Sequence, residues 1–381
     1  MNQSYRPVYC SALRMKTGEL EGVRLLAPDV ADSLLPRFIV PPKKERNDAE
    51  PLLIEMAEMP DISVALSAHW RNRLALIDPT YIIDEYGRDR LVTWLPNMFR
   101  RAWAADIIAI PIAQLSDLGE AEIPAFRASI PEQGQLKFAI CIPSDELVDA
   151  DLHVTILNIL ASLGLSAADC AVVADFAGTE FSNPAIVAPI IGGALETLQE
   201  IGAWRHIIFQ GTHYPEVNPA KDGTVEIWPR NEWLAWREAV RFDPTTAEHM
   251  IFGDYAADCA KMAFGKGRAQ AIRHIRYATS GAWRVQRAVK AGRDAQRMHG
   301  VFKAIVESGD FAGEGFSSAD AFIANGARNA KAGPGNSTTW RQLNTTHHIT
   351  QVVSDIAKVR GISIKKAPVS EETQLSLLPR I

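Results

Sequence analysis

Apolar positions along the first 280 residues fall into short continuous runs. Nine stand out, at residues 5–10, 35–40, 74–77, 107–112, 137–142, 170–175, 205–210, 250–253 and 272–277. They are rich in β-branched residues and mostly do not alternate, the pattern of parallel strands buried on both faces. Helical stretches lie between them, over 19–26, 147–163 (ending at Gly164), 184–201 (ending at Gly202) and 231–242. Strand alternating with helix predicts an α/β fold with right-handed crossovers. Eight or nine such strands fit a (β/α)8, TIM-barrel-like fold. An open doubly wound sheet is the second choice, but it usually has fewer strands, and no GxGxxG loop follows the first run.

Beyond the ninth run the pattern turns helical. Residues 281–309 read as one long helix, 317–329 and 345–360 as two more, with a turn at 332–336. The predicted organisation is a barrel over 1–280, a helical C-terminal layer over 281–361 and a disordered tail over 362–381.

Composition narrows the class. With 47% hydrophobic and 22% charged residues the chain is neither disordered nor fibrous. No apolar run approaches the ~18–20 residues of a membrane span, and residues 1–9 hold no apolar signal core. Cys10, Cys141, Cys170 and Cys259 lie far apart with no CxxC pair, which predicts a reduced, cytoplasmic protein. Charge is uneven. Residues 261–303 hold eleven Lys/Arg against the single acid Asp294, a local +10 that leaves −15 for the rest of a chain whose net is −5. A basic block on an acidic body predicts contact with phosphates or another anion.

Candidate chemistry clusters at strand ends, where barrel active sites lie. Asp78, Asp175 and Asp254, joined by His213, are the candidate catalytic set. Converging carboxylates suit a hard cation such as Mg²⁺, or a general acid and base pair, and so a metal-assisted hydrolase of a phosphate-containing substrate. The competing reading of each strand-end Asp is turn or capping duty. Lys16, Tyr255, Arg273, Arg276 and Tyr277 are the candidate ligand-binding residues around the mouth. For Arg273 and Arg276 a structural ion pair with Asp254 or Asp175 is the alternative. On the first helix Thr17 is the expected cap and Glu19 the acidic first turn. On the predicted long helix Arg284, Arg287, Lys290, Arg293 and Arg297 form a broad basic face. It is expected either to bind nucleic-acid backbone or to dock on the acidic body. His347 and His348 point about 100° apart on a helix, which argues against a shared metal and for a structural role, with Thr345 or Thr346 as the cap.

Several segments carry a resemblance: Tyr5-Arg-Pro-Val, Lys16-Thr-Gly-Glu, Gly253-Asp-Tyr-Ala, Ile275-Arg-Tyr-Ala-Thr with Trp283, Trp340-Arg341 and Thr346-His-His-Ile. In this order they resemble the beta protein family of phages, prophages and bacterial genomes. The resemblance implies a mobile-element or defence setting and leaves the chemistry open. In the tail, Gln374-Leu-Ser-Leu-Leu378 resembles the bacterial sliding-clamp-binding pentapeptide, with Leu378 in the place of the usual Phe. It implies a clamp as partner, with Gln374 hydrogen-bonding and Leu375, Leu377 and Leu378 filling an apolar pocket. Two functions of different class result. One is an enzyme with a phosphate-binding mouth. The other is a recruitment module without turnover, replication- or defence-linked, that uses the basic helix and the tail.

Overall fold

The computed structural model describes residues 7–42, 60–260 and 272–364. Eight parallel strands close into a barrel. They are β1 (Tyr9–Arg14), β2 (Leu34–Ile39), β3 (Leu74–Asp78), β4 (Ile108–Gln114), β5 (Phe138–Pro143), β6 (Cys170–Asp175), β7 (His206–Gln210) and, after β8 (Val225–Pro229) outside the barrel, β9 (Met250–Asp254). β9 closes the ring by pairing with both β7 and β1. Gly253 allows that closure, because a Cβ there would lie 2.6 Å from the Phe209 carbonyl oxygen and 2.8 Å from that of Cys10. Helices return the chain between strands. α1 (Thr17–Arg24) and α2 (Pro28–Asp32) follow β1, and α3 (Ser63–His69) follows β2. α4 (Thr80–Tyr86) and α5 (Leu91–Ala104) follow β3, and α6 (Ile123–Arg127) follows β4. α7 (Leu152–Leu163) follows β5, α8 (Pro184–Ile201) follows β6, and α9 (Asn231–Phe242) and α10 (Thr246–His249) follow β8. The barrel predicted from the apolar runs is therefore present. No helix among the described residues is long and apolar enough to cross a membrane.

Side chains alternate across the barrel wall. Cys10, Leu35, Leu76, Cys141, Val173 and Ile208 fill the interior. Tyr9, Phe38, Ile77, Phe138, Phe209 and Phe252 pack outward under the helices.

The C-terminal part departs from expectation at three places. The ninth apolar run does not join the barrel. It forms β10 (His274–Ala278), which pairs antiparallel with β11 (Ala282–Arg287), and β11 pairs with β8 in a three-stranded sheet. The helix predicted from 281 is thus a strand at its start, and helix α11 runs only over Asp294–Val306. Buried Trp283 and Val285 alternate with less buried Arg284, a period of two hidden by arginines spaced at helical intervals. At the other end of the chain, β1 extends past the end of its apolar run at residue 10, because Ser11 and Arg14 interrupt the hydrophobic pattern while the strand continues through them.

Helix α12 (Ser318–Arg328) and helix α13 (Ser337–Arg360) complete the layer. α13 begins well before residue 345, capped by the Asn336 side chain, which accepts the Thr339 N–H at 3.0 Å, and it ends at Gly361 in the left-handed region (φ 64°). It is buried on almost all sides between the barrel, α1 and the small sheet. Gly18 and Gly22, one turn apart on α1, let it approach. A Cβ on Gly18 would sit 2.7 Å from the Thr338 carbonyl oxygen, and one on Gly22 would sit 2.7 Å from Thr345 Cβ. Ile349, Val352, Val353 and Ile356 are fully buried against the barrel core, each worth about 1.5–3 kcal/mol relative to exposure.

Candidate functional site

Side-chain parity sorts the strand-end acids. Arg37 follows Leu35 by two residues, Asp78 follows Leu76 by two and Asp175 follows Val173 by two, so all three face the barrel interior at its C-terminal mouth. Arg37 is 3% exposed. Its Nε and Nη2 donate to Asp78 Oδ2 at 2.9 and 2.7 Å, and its Nη1 donates to Asp175 Oδ2 at 3.4 Å. The Tyr255 hydroxyl lies 3.2 Å from both Asp175 oxygens, and the Cys141 thiol donates to Asp175 at 3.4 Å. Burial opposes the Arg37 charge, but the Asp78 and Asp175 carboxylates against it hold the guanidinium protonated. Burial pushes the Tyr255 phenol and the Cys141 thiol well above their usual ranges, so neither is ionised near neutral pH. Asp78 and Asp175 also accept the backbone N–H two residues on, at 3.0 and 2.9 Å, which is turn duty as well.

A second network lies at the rim. The Asp258 carboxylate collects three guanidiniums: Arg276 Nη1 at 2.9 Å, Arg14 Nη1 at 3.5 Å, and Arg341, which makes the closest contact. Arg341 also reaches Glu19 at 3.1 Å. Burial alone would raise Asp258, yet Arg341, Arg276 and Arg14 hold it well below the usual carboxylate range. Glu19 shifts the other way, since burial outweighs the pull of Arg341. Between rim and mouth a small cleft touches Ala12, Ile39, Tyr255, Arg14 and Asp258.

Asp254 belongs to neither group. It follows the outward-facing Phe252 by two residues and so points behind the barrel wall, toward α13. It accepts from the Tyr9 hydroxyl, from the Ala256 N–H at 2.9 Å and from His348 Nε2 at 2.7 Å. His348 Nδ1 accepts the Trp283 indole N–H at 3.2 Å. This pattern suits a neutral ring protonated on Nε2, and burial lowers His348 accordingly. His348, Arg230 and the Tyr9 hydroxyl outweigh burial to keep Asp254 ionised. Close by, Glu232 is fully buried. Burial and the Asp254 charge push its carboxyl up to about 8, against the pull of Arg230.

A model of the Beta protein family matches residues 9–354. The chain belongs to that family. No curated protein and no solved structure matches it. The short segments of this Beta protein family member that lie far apart in sequence meet in these networks: Glu19 with Arg341, Asp254 with His348, and Tyr277 with His347.

The remaining candidates disperse. Asp78 and Asp175 converge, but Asp254 and His213 do not join them. The His213 ring stacks on Trp228 at 5.5 Å and burial lowers its pKa, while the His213 backbone N–H, not the ring, donates to Glu232 at 3.0 Å. Tyr255 joins the mouth and Arg276 the rim. Arg273 pairs instead with Asp294 at 2.7 Å, away from Asp254 and Asp175. The Tyr277 hydroxyl donates to Asp320 at 2.6 Å, a buried contact that docks α12. Lys16 itself occupies the cap position of α1 in place of Thr17, and its charge acts on Glu19, which lies in the first turn as expected but turns to Arg341.

The basic face is not a helix face. Arg284 and Arg287 lie on β11 and pair with Asp310 and Asp222. Arg297 pairs with Asp294, while Lys290 and Arg293 are exposed. Gln374, Leu375, Leu377 and Leu378 lie outside the described residues.

Among the described residues no group of three or more His, Cys, Asp or Glu is placed to hold a metal ion. Asp78 and Asp175 are committed to one guanidinium, so the donor set does not fit the Mg²⁺ expectation. Arg37, Arg14 and Asp258 escaped the sequence reading. Arg37 carried a signal, being an arginine inside an apolar run at an inward position.

Proposed function

We propose that the rim of the barrel mouth binds a phosphate-bearing ligand of the nucleic-acid class, and that the chain acts near DNA in a phage or mobile-element setting. The observation that carries this reading is the gathering of Arg14, Arg276 and Arg341 around Asp258, where the Arg341 side chain is 31% exposed. A guanidinium's planar fork matches phosphate oxygens. Three guanidiniums stand here against the two carboxylates of Asp258 and Glu19, a surplus of positive charge that Asp258 holds in place. The recruitment form of this reading is favoured over the hydrolytic one by the engagement of the acids. Asp78 and Asp175 are tied to Arg37, and Asp254 to Tyr9 and His348. The clamp-like pentapeptide at 374–378 fits recruitment as well, as the segment that would bring the protein to replicating DNA. The test is fluorescence anisotropy of a labelled single-stranded oligonucleotide at low salt. Micromolar binding that inorganic phosphate competes away, weakened about tenfold by Arg341→Gln, supports the reading. Binding unchanged by that substitution, or none at all, overturns it.

A further inference from the structure

We infer that a cleft at the end of the barrel opposite the mouth is a second, separate binding site, for a phosphorylated small molecule of nucleotide size. The cleft measures about 900 Å³ and lies at the starts of β7 and β9, between Pro7 before β1 and the ends of α8 and α13. Barrel catalysis belongs to the other face, so this site binds rather than reacts. It is also distinct from the rim. Arg341 and Arg360 stand near opposite ends of α13, about 28 Å apart along the helix.

Arg360 is the residue that points to an anion. It is half-buried, yet no carboxylate pairs with it among the described residues. Its Nη2 donates to the Met250 carbonyl at 3.3 Å, and its buried Nε has no hydrogen-bond partner. Burial lowers its pKa, and no neighbouring charge opposes the shift. Other arginines drawn in from water are treated differently. Arg37, Arg230, Arg276 and Arg284 each have a carboxylate oxygen within 3.4 Å. Withdrawing a guanidinium from water without an acid is costly, and a bound anion would offset that cost.

The rest of the wall suits the same ligand. Arg205 is exposed and makes no ion pair among the described residues. Burial and the Arg205 charge push the neighbouring His206 down to about 4, so its ring offers a hydrogen bond and no charge. Glu248 is the one acid lining the cleft, and it is exposed and pairs with neither arginine. The planar forks of two guanidiniums match phosphate oxygens. The volume falls within the roughly 300–1,000 Å³ of small-molecule sites and leaves room for more than a phosphate. Trp204 already donates its indole N–H to the Leu198 carbonyl at 2.7 Å, so it offers an apolar ring, while Gln135 and Gln199 offer amides for the polar edges of a base or sugar.

The test is calorimetric titration of adenosine 5′-monophosphate into the full chain carrying Arg341→Gln, which weakens the rim and leaves the cleft intact. The dissociation constant should be on the order of 100 μM, at least about tenfold tighter than for inorganic phosphate, and adenosine should not bind. Adding Arg360→Gln or Arg205→Gln should weaken binding about tenfold. Because Arg360 has no acid to lose, Arg360→Gln should leave the ligand-free melting temperature unchanged or raise it. No nucleotide binding at millimolar concentration would overturn the inference. So would binding that neither substitution weakens, adenosine or inorganic phosphate binding as well as the monophosphate, or an Arg360→Gln chain that melts several degrees lower without ligand.

Discussion

Two networks built from neighbouring residues of one strand end and one helix lie on opposite sides of the barrel wall. Asp254 and His348 meet behind it, at most 1% exposed, with every contact saturated by Tyr9, Ala256 and Trp283. Asp258 and Arg341 meet at the rim, where three arginines face the two carboxylates of Asp258 and Glu19 and the Arg341 side chain is left partly in water. The first arrangement has no capacity left for a ligand and serves to lock α13 to β1, β9 and β11. The second has surplus positive charge and access. The same contrast separates adjacent residues of α13. His348 faces one acceptor and one donor, whereas His347 faces two acceptors, Asp320 at 3.0 Å and the Ala278 carbonyl at 2.8 Å. A neutral ring satisfies the first site.

The largest expected effect breaks the closed network. Asp254→Ala should cost about 3–5 kcal/mol in urea unfolding, because it strands His348 and the Tyr9 hydroxyl in the core. Arg341→Gln at the partly exposed rim should cost about 1 kcal/mol or less in the same assay. Equal losses would erase the distinction between lock and rim.

Glu232 sharpens the contrast through pH. Its folded carboxyl keeps its proton up to about 8, while the unfolded one releases it near 4.5. The folded state binds more protons between those values, so this contribution to stability is full below 4.5 and lost as pH rises through 8. Glu232→Gln should flatten that decline and gain ~2 kcal/mol at pH 8. A wild-type stability that climbs across this window on account of Glu232 would contradict its burial as a neutral acid.

The effect of His348 is smaller and opposite in sign. The folded ring is lowered from 6.5, so the unfolded chain takes up the proton first as pH falls. Stability from this site is full above 6.5 and declines below it, by about 1 kcal/mol near pH 5.5. In the folded chain the ring stays neutral until the pH falls below its lowered value, where a proton on Nδ1 would oppose the Trp283 indole N–H, so Trp283 fluorescence of the folded chain should change only at a pH lower than that at which stability begins to fall. A fluorescence transition centred at 6.5 would show that burial does not lower His348.

Much of the barrel was legible because buried parallel strands leave continuous apolar runs, and α8 and α9 have the bounds their patterns predicted. The small sheet was not. β8 is exposed and short, and β11 hides its alternation under arginines at helical spacing. The mouth was half legible. Strand-end position marked Asp78, Asp175 and Asp254 alike, and counting parity from the apolar residues before each separates Asp254 from the other two. The rim could not be read from spacing, because Arg14, Glu19, Asp258 and Arg341 come together only when α13 packs on α1 across two glycines.

The salt dependence of single-stranded DNA binding tests the central assignment most directly. Three rim arginines neutralising three phosphates should give a slope of log K against log salt of about −2, at roughly −0.7 per contact. Arg341→Gln should reduce its magnitude by about 0.7 while leaving the unfolding midpoint nearly unchanged. A slope the substitution does not move, or binding lost instead on replacing Lys290 and Arg293, would place the nucleic-acid contact elsewhere and contradict the rim as the functional site.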